Sequence, residues 1–197
     1  MHHEIVAAGY GGQGVLLAGQ ILACAGMLEG KHVSWYPSYG PEMRGGTCNC
    51  SVVISSETVG SPVVNAPSIL IAMNDPSFRK FWSDLGPGGL VVSNSSLIKE
   101  DSWGPMPVEA GLSYLPVPAS EEALALGEPK VANLVMVGAM AEATALVGFQ
   151  ALEDALGMIL PPHRRHLVSL NMQAVERGRY HGAKGCRPMV RLNDQGF

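Results

Sequence analysis

The sequence has little charge and few cysteines, and each shortage argues against a class of protein. Asp, Glu, Lys and Arg make up 15% of the 197 residues, well below the roughly 25% of an average soluble domain. The net charge of −4 comes without a basic stripe, which argues against nucleic-acid binding. Composition leaves two explanations for the low charge open: a surface covered by another protein, or a compact core rich in Gly and Ala.

Long apolar runs are also missing. No run reaches the roughly 18 residues that a membrane span needs. The start of the chain, MHHEIVAAGYGG, lacks the order of basic, apolar and small residues that is typical of a signal peptide. The sequence therefore predicts a cytoplasmic protein that does not associate with membranes.

The four cysteines are poorly spaced for a metal site. Cys48 and Cys50 form a C-x-C pair, whereas Cys24 and Cys186 lie far from them in the sequence. Iron–sulfur clusters and structural zinc sites need four thiolate or imidazole ligands, usually from C-x-x-C pairs. We therefore expect four reduced, buried thiols and no metal, with a redox or metal role for the C-x-C pair as the alternative.

Short apolar runs alternate with segments of helical spacing, which is the pattern of an α/β fold. The predicted strands are HEIVAAG, HVSWYPS, CNCSVVIS, APSILIAMN and LVVSNSS, and the predicted helices contain VLLAGQILACAGMLEG, DPSFRKFWSDL, SEEALALGE, NLVMVGAMAEATALVG, ALEDALGMIL and RRHLVSLNMQAVERGRYHG. Residues 101–120 are predicted to form irregular surface chain, with YLPVP as the only extended piece. We expect one domain over residues 1–197, a three-layer Rossmann-like fold with a mostly parallel sheet, helices on both faces and a C-terminal tail from about 181 to 197.

GYGGQGVLLAG, residues 9–19, matches the G-x-G-x-x-G pattern where the first strand meets the first helix. Glycines there bring backbone N–H groups close to a phosphate at the positive end of the helix. A nicotinamide enzyme usually has Asp or Glu at the end of its second strand to bind the ribose hydroxyls. Here that strand ends SWYPSYG, without a carboxylate. The sequence favours phosphate binding over an ordinary dinucleotide site, with helix–sheet packing as the structural alternative.

A second glycine-rich stretch, YPSYGPEMRGGTCNCSVVIS, spans residues 36–55. The planar guanidinium of Arg44 can bind a phosphate or a carboxylate, and the adjacent glycines would let a ligand or a subunit approach the backbone. A salt link between Glu42 and Arg44 inside a turn is the structural alternative.

Asparagines follow two apolar strands and open a predicted helix. Asn74 and Asn94 end the strands, where open α/β sheets bind ligands, and Asn133 begins the helix. Asparagine in these places is also a common turn residue or helix cap. The candidates for ligand or subunit contact in the two regions are Tyr39, Glu42, Arg44, Gly45, Gly46, Asn74 and Asn94.

Taken together, the two glycine-rich stretches resemble the γ subunits of 2-oxoacid:ferredoxin (acceptor) oxidoreductases. SPVVNAPSILIAMN, GPGGLVVSNSSLI and ANLVMVGAM also match, in the order that this family shows them, so the resemblance covers roughly residues 4–180. YGPEMRGGTCNCSVVIS is most similar to the branches that use 2-oxoglutarate or branched-chain 2-oxoacids such as 2-oxoisovalerate. The sequence leaves the choice between these substrates open.

The resemblance implies a subunit of an enzyme that is inactive alone. The whole complex would oxidatively decarboxylate a 2-oxoacid to an acyl-CoA and CO2 and reduce ferredoxin. The chain has no GDG-type motif, so thiamine diphosphate, Mg and the [4Fe-4S] clusters are expected on the partner α, β and ferredoxin-like δ subunits. We expect no catalytic residue or metal ligand on this chain.

For this chain the resemblance implies a part of the coenzyme A site. The residues expected there are Gly9, Gly11, Gly12, Gln13, Gly14 and Asn133. A purely structural subunit of the same complex and a free-standing nucleotide-binding enzyme are the alternatives.

Overall fold

A mixed sheet of seven strands forms the centre of the protein. The computed structural model describes residues 1–39, 47–99 and 111–189. The strands are β1 (His2–Tyr10), β2 (His32–Tyr39), β3 (Thr47–Ser55), β4 (Ile69–Ala72), β5 (Leu90–Asn94), β6 (Ser113–Val117) and β7 (Arg187–Pro188). Their order is β2-β3-β1-β4-β5-β6-β7. The four central strands β1, β4, β5 and β6 are parallel, so their carboxyl ends lie at one edge of the sheet.

Helices lie on both faces of this sheet. They are α1 (Val15–Leu28), α2 (Asp75–Phe81), α3 (Ala119–Ala125), α4 (Ala132–Thr144), α5 (Phe149–Ile159) and α6 (Val168–Gly182). Because side chains alternate along a strand, Ile5 and Ala7 belong to the main core with α1 and α4, whereas Val6 and Ala8 belong to a second core with Phe78 of α2. The expected three-layer α/β fold is confirmed. In the described ranges no helix is both long and apolar enough to cross a membrane.

Within residues 101–120, the prediction that YLPVP is extended is confirmed, but this piece is a strand of the central sheet and not irregular surface chain. Ser113–Val117 forms β6, which pairs with β5, and α3 follows at once. Proline is tolerated in this strand because of the direction of its nitrogen. The Ser113 N–H donates to Gly89 O on the β5 side. Because backbone N–H groups point alternately to the two neighbouring strands, the nitrogen of Pro116 points away from β5. On that other side, β7 pairs with Ser113 and Tyr114 and does not reach Pro116. Among the described residues, no ladder hydrogen bond is lost there.

Part of the expected C-terminal tail, between residues 181 and 189, has regular structure. α6 continues to Gly182, so the tail expected from about residue 181 begins inside this helix. Arg187 and Pro188 then pair with β6 as β7. The segment that was predicted to begin the last helix forms a separate 3₁₀ helix, Pro162–Leu167.

α4 and α6 pack unusually closely because glycines lie at their contact. A Cβ added to Gly138 would lie 2.0 Å from the Val175 carbonyl oxygen, and one added to Gly178 would lie 1.9 Å from the Val135 carbonyl oxygen. Only hydrogen fits at these positions. This contact sets the distance between two helices that both contribute to the site described next.

Candidate functional site at the glycine loop

The glycine loop joins the end of β1 to the start of α1. Gly12 has a φ of 101° and Gly14 a φ of 72°, backbone conformations that favour glycine over residues with a side chain. The Tyr10 N–H donates to Gln13 Oε1 (2.7 Å), and the Gln13 N–H donates to Tyr10 O (3.1 Å). These two bonds close the turn and place Gly14 directly before the helix.

The start of α1 is open to an anion. Gly14 provides no side-chain cap, and the first turn contains no acidic residue. The first intrahelical bond runs from the Ala18 N–H to Gly14 O, so the N–H groups of the preceding residues have no intrahelical acceptor. A Cβ on Gly12 would meet no atom within 4 Å. The loop therefore leaves space for a ligand at the positive end of the helix.

Packing explains other members of the glycine motif. A Cβ on Gly9 would lie 2.8 Å from Gln13 Oε1 and 2.9 Å from the Cβ of Met73, so Gly9 allows the loop to approach β4. Gly11 is half-buried. At Gly9, close packing alone therefore accounts for glycine, which favours the structural alternative for this one position.

Asn133 ties α4 to the glycine loop. Its Nδ2 donates to Gly14 O at 3.0 Å, and the residue is 2% exposed. The helix cap is Val131, so Asn133 lies inside the helix and the cap interpretation is wrong. Sequence positions 119 residues apart are thus in direct contact.

Asn74 and Asn94 lie at the same edge of the sheet, but other groups of the protein use their polar atoms. Asn74 Oδ1 accepts from the Ser77 N–H (3.0 Å), which caps α2, and its Nδ2 donates to Gln13 Oε1 (2.7 Å). Asn94 Nδ2 donates to Ser120 Oγ at 2.8 Å. Both residues are buried, which supports a structural role for them as cap and connector.

A pocket of about 340 Å³ opens between the glycine loop, α4 and α6. Two cations contribute to its wall, Lys130 and Arg164, against one carboxylate, Glu128. Lys130 and Arg164 are exposed, and Glu128 accepts from the Lys130 N–H at 3.2 Å. The remaining lining residues are Gly12, Gly14, Leu17, Val131, Asn133, Leu134, Leu160, Leu167, Leu170 and Asn171. The pocket thus combines a positive mouth with an apolar wall, which suits an anionic ligand that has an apolar part.

Sequence reasoning missed three of these residues. The sequence pattern placed Arg164 only at the start of the last predicted helix, and although Arg164 is exposed, it also lines the pocket. Lys130 and Asn171 carried no signal, because only the packing of α4 against α6 brings them to the loop.

A larger groove of about 1000 Å³ lies along α5 and α6, away from the glycine loop. Its lining contains charged side chains of both signs, Glu153 and Glu176 with Arg165 and Arg177. This balance gives no preference for an anion, so we place the candidate site in the smaller pocket.

The predicted role of the second glycine-rich stretch in binding a ligand or a subunit stays a prediction. Glu42, Arg44, Gly45 and Gly46 lie outside the described residues, as does the side chain of Tyr39, whose backbone ends β2. Their role as ligand or subunit contacts is neither supported nor opposed by the geometry.

The cysteines are all free, but the prediction that they are buried is correct only for Cys50. Cys24 and Cys48 are half-buried, and Cys186 is exposed because it lies in the turn between α6 and β7. Burial raises the pKa of Cys50 to about 12, so its thiol stays protonated at neutral pH. This disfavours a nucleophilic or metal-binding role for the C-x-C pair, and in the described ranges no three His, Cys, Asp or Glu side chains come together as a metal site.

Comparison with known proteins identifies the family. The model of the family described as pyruvate ferredoxin/flavodoxin oxidoreductase matches residues 4–180. The ketoisovalerate oxidoreductase subunit VorA of Methanothermobacter thermautotrophicus is 41% identical over 173 residues, covering 87% of this chain and 34% of VorA. The 2-oxoglutarate synthase subunit KorC of Methanothermobacter marburgensis is 38% identical over 181 residues, covering 91% of this chain and 96% of KorC. The chain thus spans about a third of VorA and nearly all of KorC.

Solved structures agree with these relatives. The γ subunit of a keto/oxoacid ferredoxin oxidoreductase from Geobacter sulfurreducens superposes with a TM-score of 0.74 at 30% identity, over 92% of this chain and 99% of that one. The 2-oxoglutarate:ferredoxin oxidoreductase from Magnetococcus marinus, solved with 2-oxoglutarate, coenzyme A and succinyl-CoA bound, shares the fold with a TM-score of 0.81 at 21% identity, over 93% of this chain and 31% of that one. The chain therefore belongs to the pyruvate ferredoxin/flavodoxin oxidoreductase family, as a γ subunit.

Proposed function

We propose that this γ subunit contributes the phosphate-binding part of the coenzyme A site in a 2-oxoacid:ferredoxin oxidoreductase. The assembled enzyme would convert 2-oxoglutarate or 2-oxoisovalerate to the acyl-CoA and CO2 and pass the electrons to ferredoxin. Its partners would be the α, β and δ subunits. Thiamine diphosphate with Mg and the [4Fe-4S] clusters would supply the carbon–carbon cleavage and the electron transfer from those subunits.

One observation carries the assignment to coenzyme A: the uncapped start of α1 opens into a pocket with Lys130 and Arg164 at its wall. Coenzyme A carries a diphosphate and a further phosphate, and backbone N–H groups with flexible cations are the usual ligands for such groups. Asn133 holds Gly14 in place, so the loop is organised before any ligand binds. The role of these residues would be to bind and orient the thiol carrier.

A purely structural role is the second candidate. It is favoured by Gly9, which packs against Met73, and by Asn74 and Gln13, which bind each other. In that case the loop would only connect β1 to α1, and its sequence would affect stability but not the use of coenzyme A.

Neighbouring arginines provide a matched test of these two roles. Arg164 and Arg165 are both exposed, but Arg164 lines the glycine-loop pocket and Arg165 lines the larger groove. We expect Arg164→Ala in the assembled complex to raise the KM for coenzyme A about 10-fold, the effect of one charge-assisted hydrogen bond. Arg165→Ala should leave this KM unchanged. Equal values for both variants and the wild type would favour the structural role.

Two further measurements test the wider proposal. The chain alone should oxidise no 2-oxoacid, and activity should return when the α, β and δ subunits are added. An assay of the complex across several 2-oxoacids then identifies the substrate. Turnover by the isolated chain would contradict the proposed division of roles.

A further inference from the structure

A separate pocket of about 520 Å³ lies beside β6, near one edge of the sheet. β7 pairs only with Ser113 and Tyr114, so among the described residues no strand continues along the rest of β6 on that side. Leu115, Pro116 and Pro118 form one wall of the pocket, and the turn between α6 and β7 contributes to the other. The pocket shares no lining residue with the glycine-loop pocket.

The charged residues that line this pocket are all basic. They are His181 in the last turn of α6, Lys184 in the turn that follows and Arg187 in β7, and no acidic residue of the described ranges lines the pocket. Ser95 adds a hydroxyl directly after the carboxyl end of β5, where open α/β sheets bind ligands. In a chain with a net charge of −4, this local excess of positive charge favours an anion.

Aromatic rings position two of these cations. Lys184 Nζ lies 4.2 Å from the centre of the Tyr180 ring, and Arg187 Cζ lies 5.7 Å from the centre of the Tyr114 ring. The face of an aromatic ring attracts a cation without bringing a negative charge. These contacts therefore orient the two side chains without making the pocket less positive.

The end of α6 gives a structural alternative for part of this set. His181 Nε2 lies 2.7 Å from Glu122 Oε1, and a cation such as Lys184 compensates the partial negative charge of about one half at the carboxyl end of a helix. Neither reason applies to Arg187, which lies in β7. The helix end thus explains individual basic residues but not why three of them line one cavity.

We propose that this pocket binds a phosphorylated small molecule, at a site separate from the proposed coenzyme A site. A phosphate offers three acceptor oxygens, which matches the ammonium of Lys184, the guanidinium of Arg187 and the hydroxyl of Ser95. The volume of about 520 Å³ is within the range of small-molecule sites and exceeds the size of a phosphate group. The rest of the ligand would therefore lie along Leu115 and Pro116.

The test titrates the full chain and the assembled complex with glycerol 3-phosphate, measured by calorimetry. We expect Lys184→Gln and Arg187→Gln each to weaken binding about 10-fold, the effect of one charge-assisted hydrogen bond. Lys80→Gln is the matched control and should leave the affinity unchanged. Lys80 is also exposed, also lies at the end of a helix and has its Nζ 5.0 Å from the centre of the Phe81 ring, but it lines none of the three pockets described above.

The other outcomes separate this site from its alternatives. If Lys184→Gln and Arg187→Gln bind glycerol 3-phosphate as tightly as the wild type, the inference is wrong, and binding that is lost only in Arg164→Ala would place the ligand in the glycine-loop pocket instead. Tighter binding of succinate than of glycerol 3-phosphate would also overturn it, because the pocket would then be specific for carboxylates. Binding by the isolated chain that disappears in the assembled complex would show that another subunit covers the pocket, which contradicts a ligand site.

Discussion

The close contact between α4 and α6 predicts that Gly178→Ala destabilises the protein, and the geometry gives the magnitude of this effect. In Gly178→Ala the new Cβ would lie 1.9 Å from the Val135 carbonyl oxygen and 2.8 Å from the Ala139 nitrogen. Both are backbone atoms, so no side-chain rotation relieves the overlap. Ordinary contact begins near 3.4 Å, so the helices would have to separate by about 1.5 Å at this point.

Such overpacking costs roughly 1–3 kcal/mol, sometimes more. Alanine recovers only about 0.5–1 kcal/mol from its better helix propensity. Because the overlap is with fixed backbone, we expect a net loss of about 2 kcal/mol in the free energy of unfolding. For a chain of this length that corresponds to a drop of about 4–8 °C in melting temperature. Separating the helices also moves Asn133 relative to Asn171, so the KM for coenzyme A should rise.

Gly157→Ala is the matched control, since Gly157 lies in α5 and a Cβ there would meet no atom within 4 Å. The same chemical change should stabilise the protein by about 0.5–1 kcal/mol. Thermal and urea unfolding of the two variants measure the expected loss of stability in Gly178→Ala and the expected gain in Gly157→Ala. If Gly178→Ala proved as stable as Gly157→Ala, the close approach of α4 and α6 would be refuted.

Three other predictions concern single residues. Ala145 has a φ of 52° at the end of α4, so Ala145→Gly should raise the free energy of unfolding by up to about 1 kcal/mol in urea denaturation, and a loss would contradict the left-handed conformation. Burial tends to raise the pKa of Glu29, but hydrogen bonds from Lys31 and the Gly148 N–H lower it overall. The ionised form of Glu29 therefore stabilises the fold at neutral pH, and this contribution disappears as the pH falls through the folded-state pKa. Glu29→Gln should thus have a lower free energy of unfolding than the wild type at pH 7 and the same value in acid. With a thiol reagent at neutral pH, Cys186 should react quickly and Cys50 only after unfolding; fast labelling of both in the folded protein would contradict the burial of Cys50.

Local pattern was sufficient for the order of the helices and of the first five strands, and for the glycine turn. The apolar run before Gly9 and the helical spacing after Gly14 specify the β1–α1 junction, because hydrophobic periodicity is a property of neighbouring residues. For β6 the same logic indicated only an extended piece, YLPVP, and not a strand of the sheet, because proline is unusual inside a paired strand. Only the position of β6 beside the short β7 makes its missing N–H harmless.

Tertiary packing determined which residues form the candidate site. The sequence by itself determined an α/β fold and a likeness to one family, and it predicts a phosphate-type loop, since each is encoded in contiguous motifs. It did not indicate that Asn133 would bond to Gly14, or that Lys130, Arg164 and Asn171 would line a pocket with them. Those residues meet because glycines let α4 and α6 approach closely against the sheet, and contacts across more than a hundred residues leave no periodic trace in the chain.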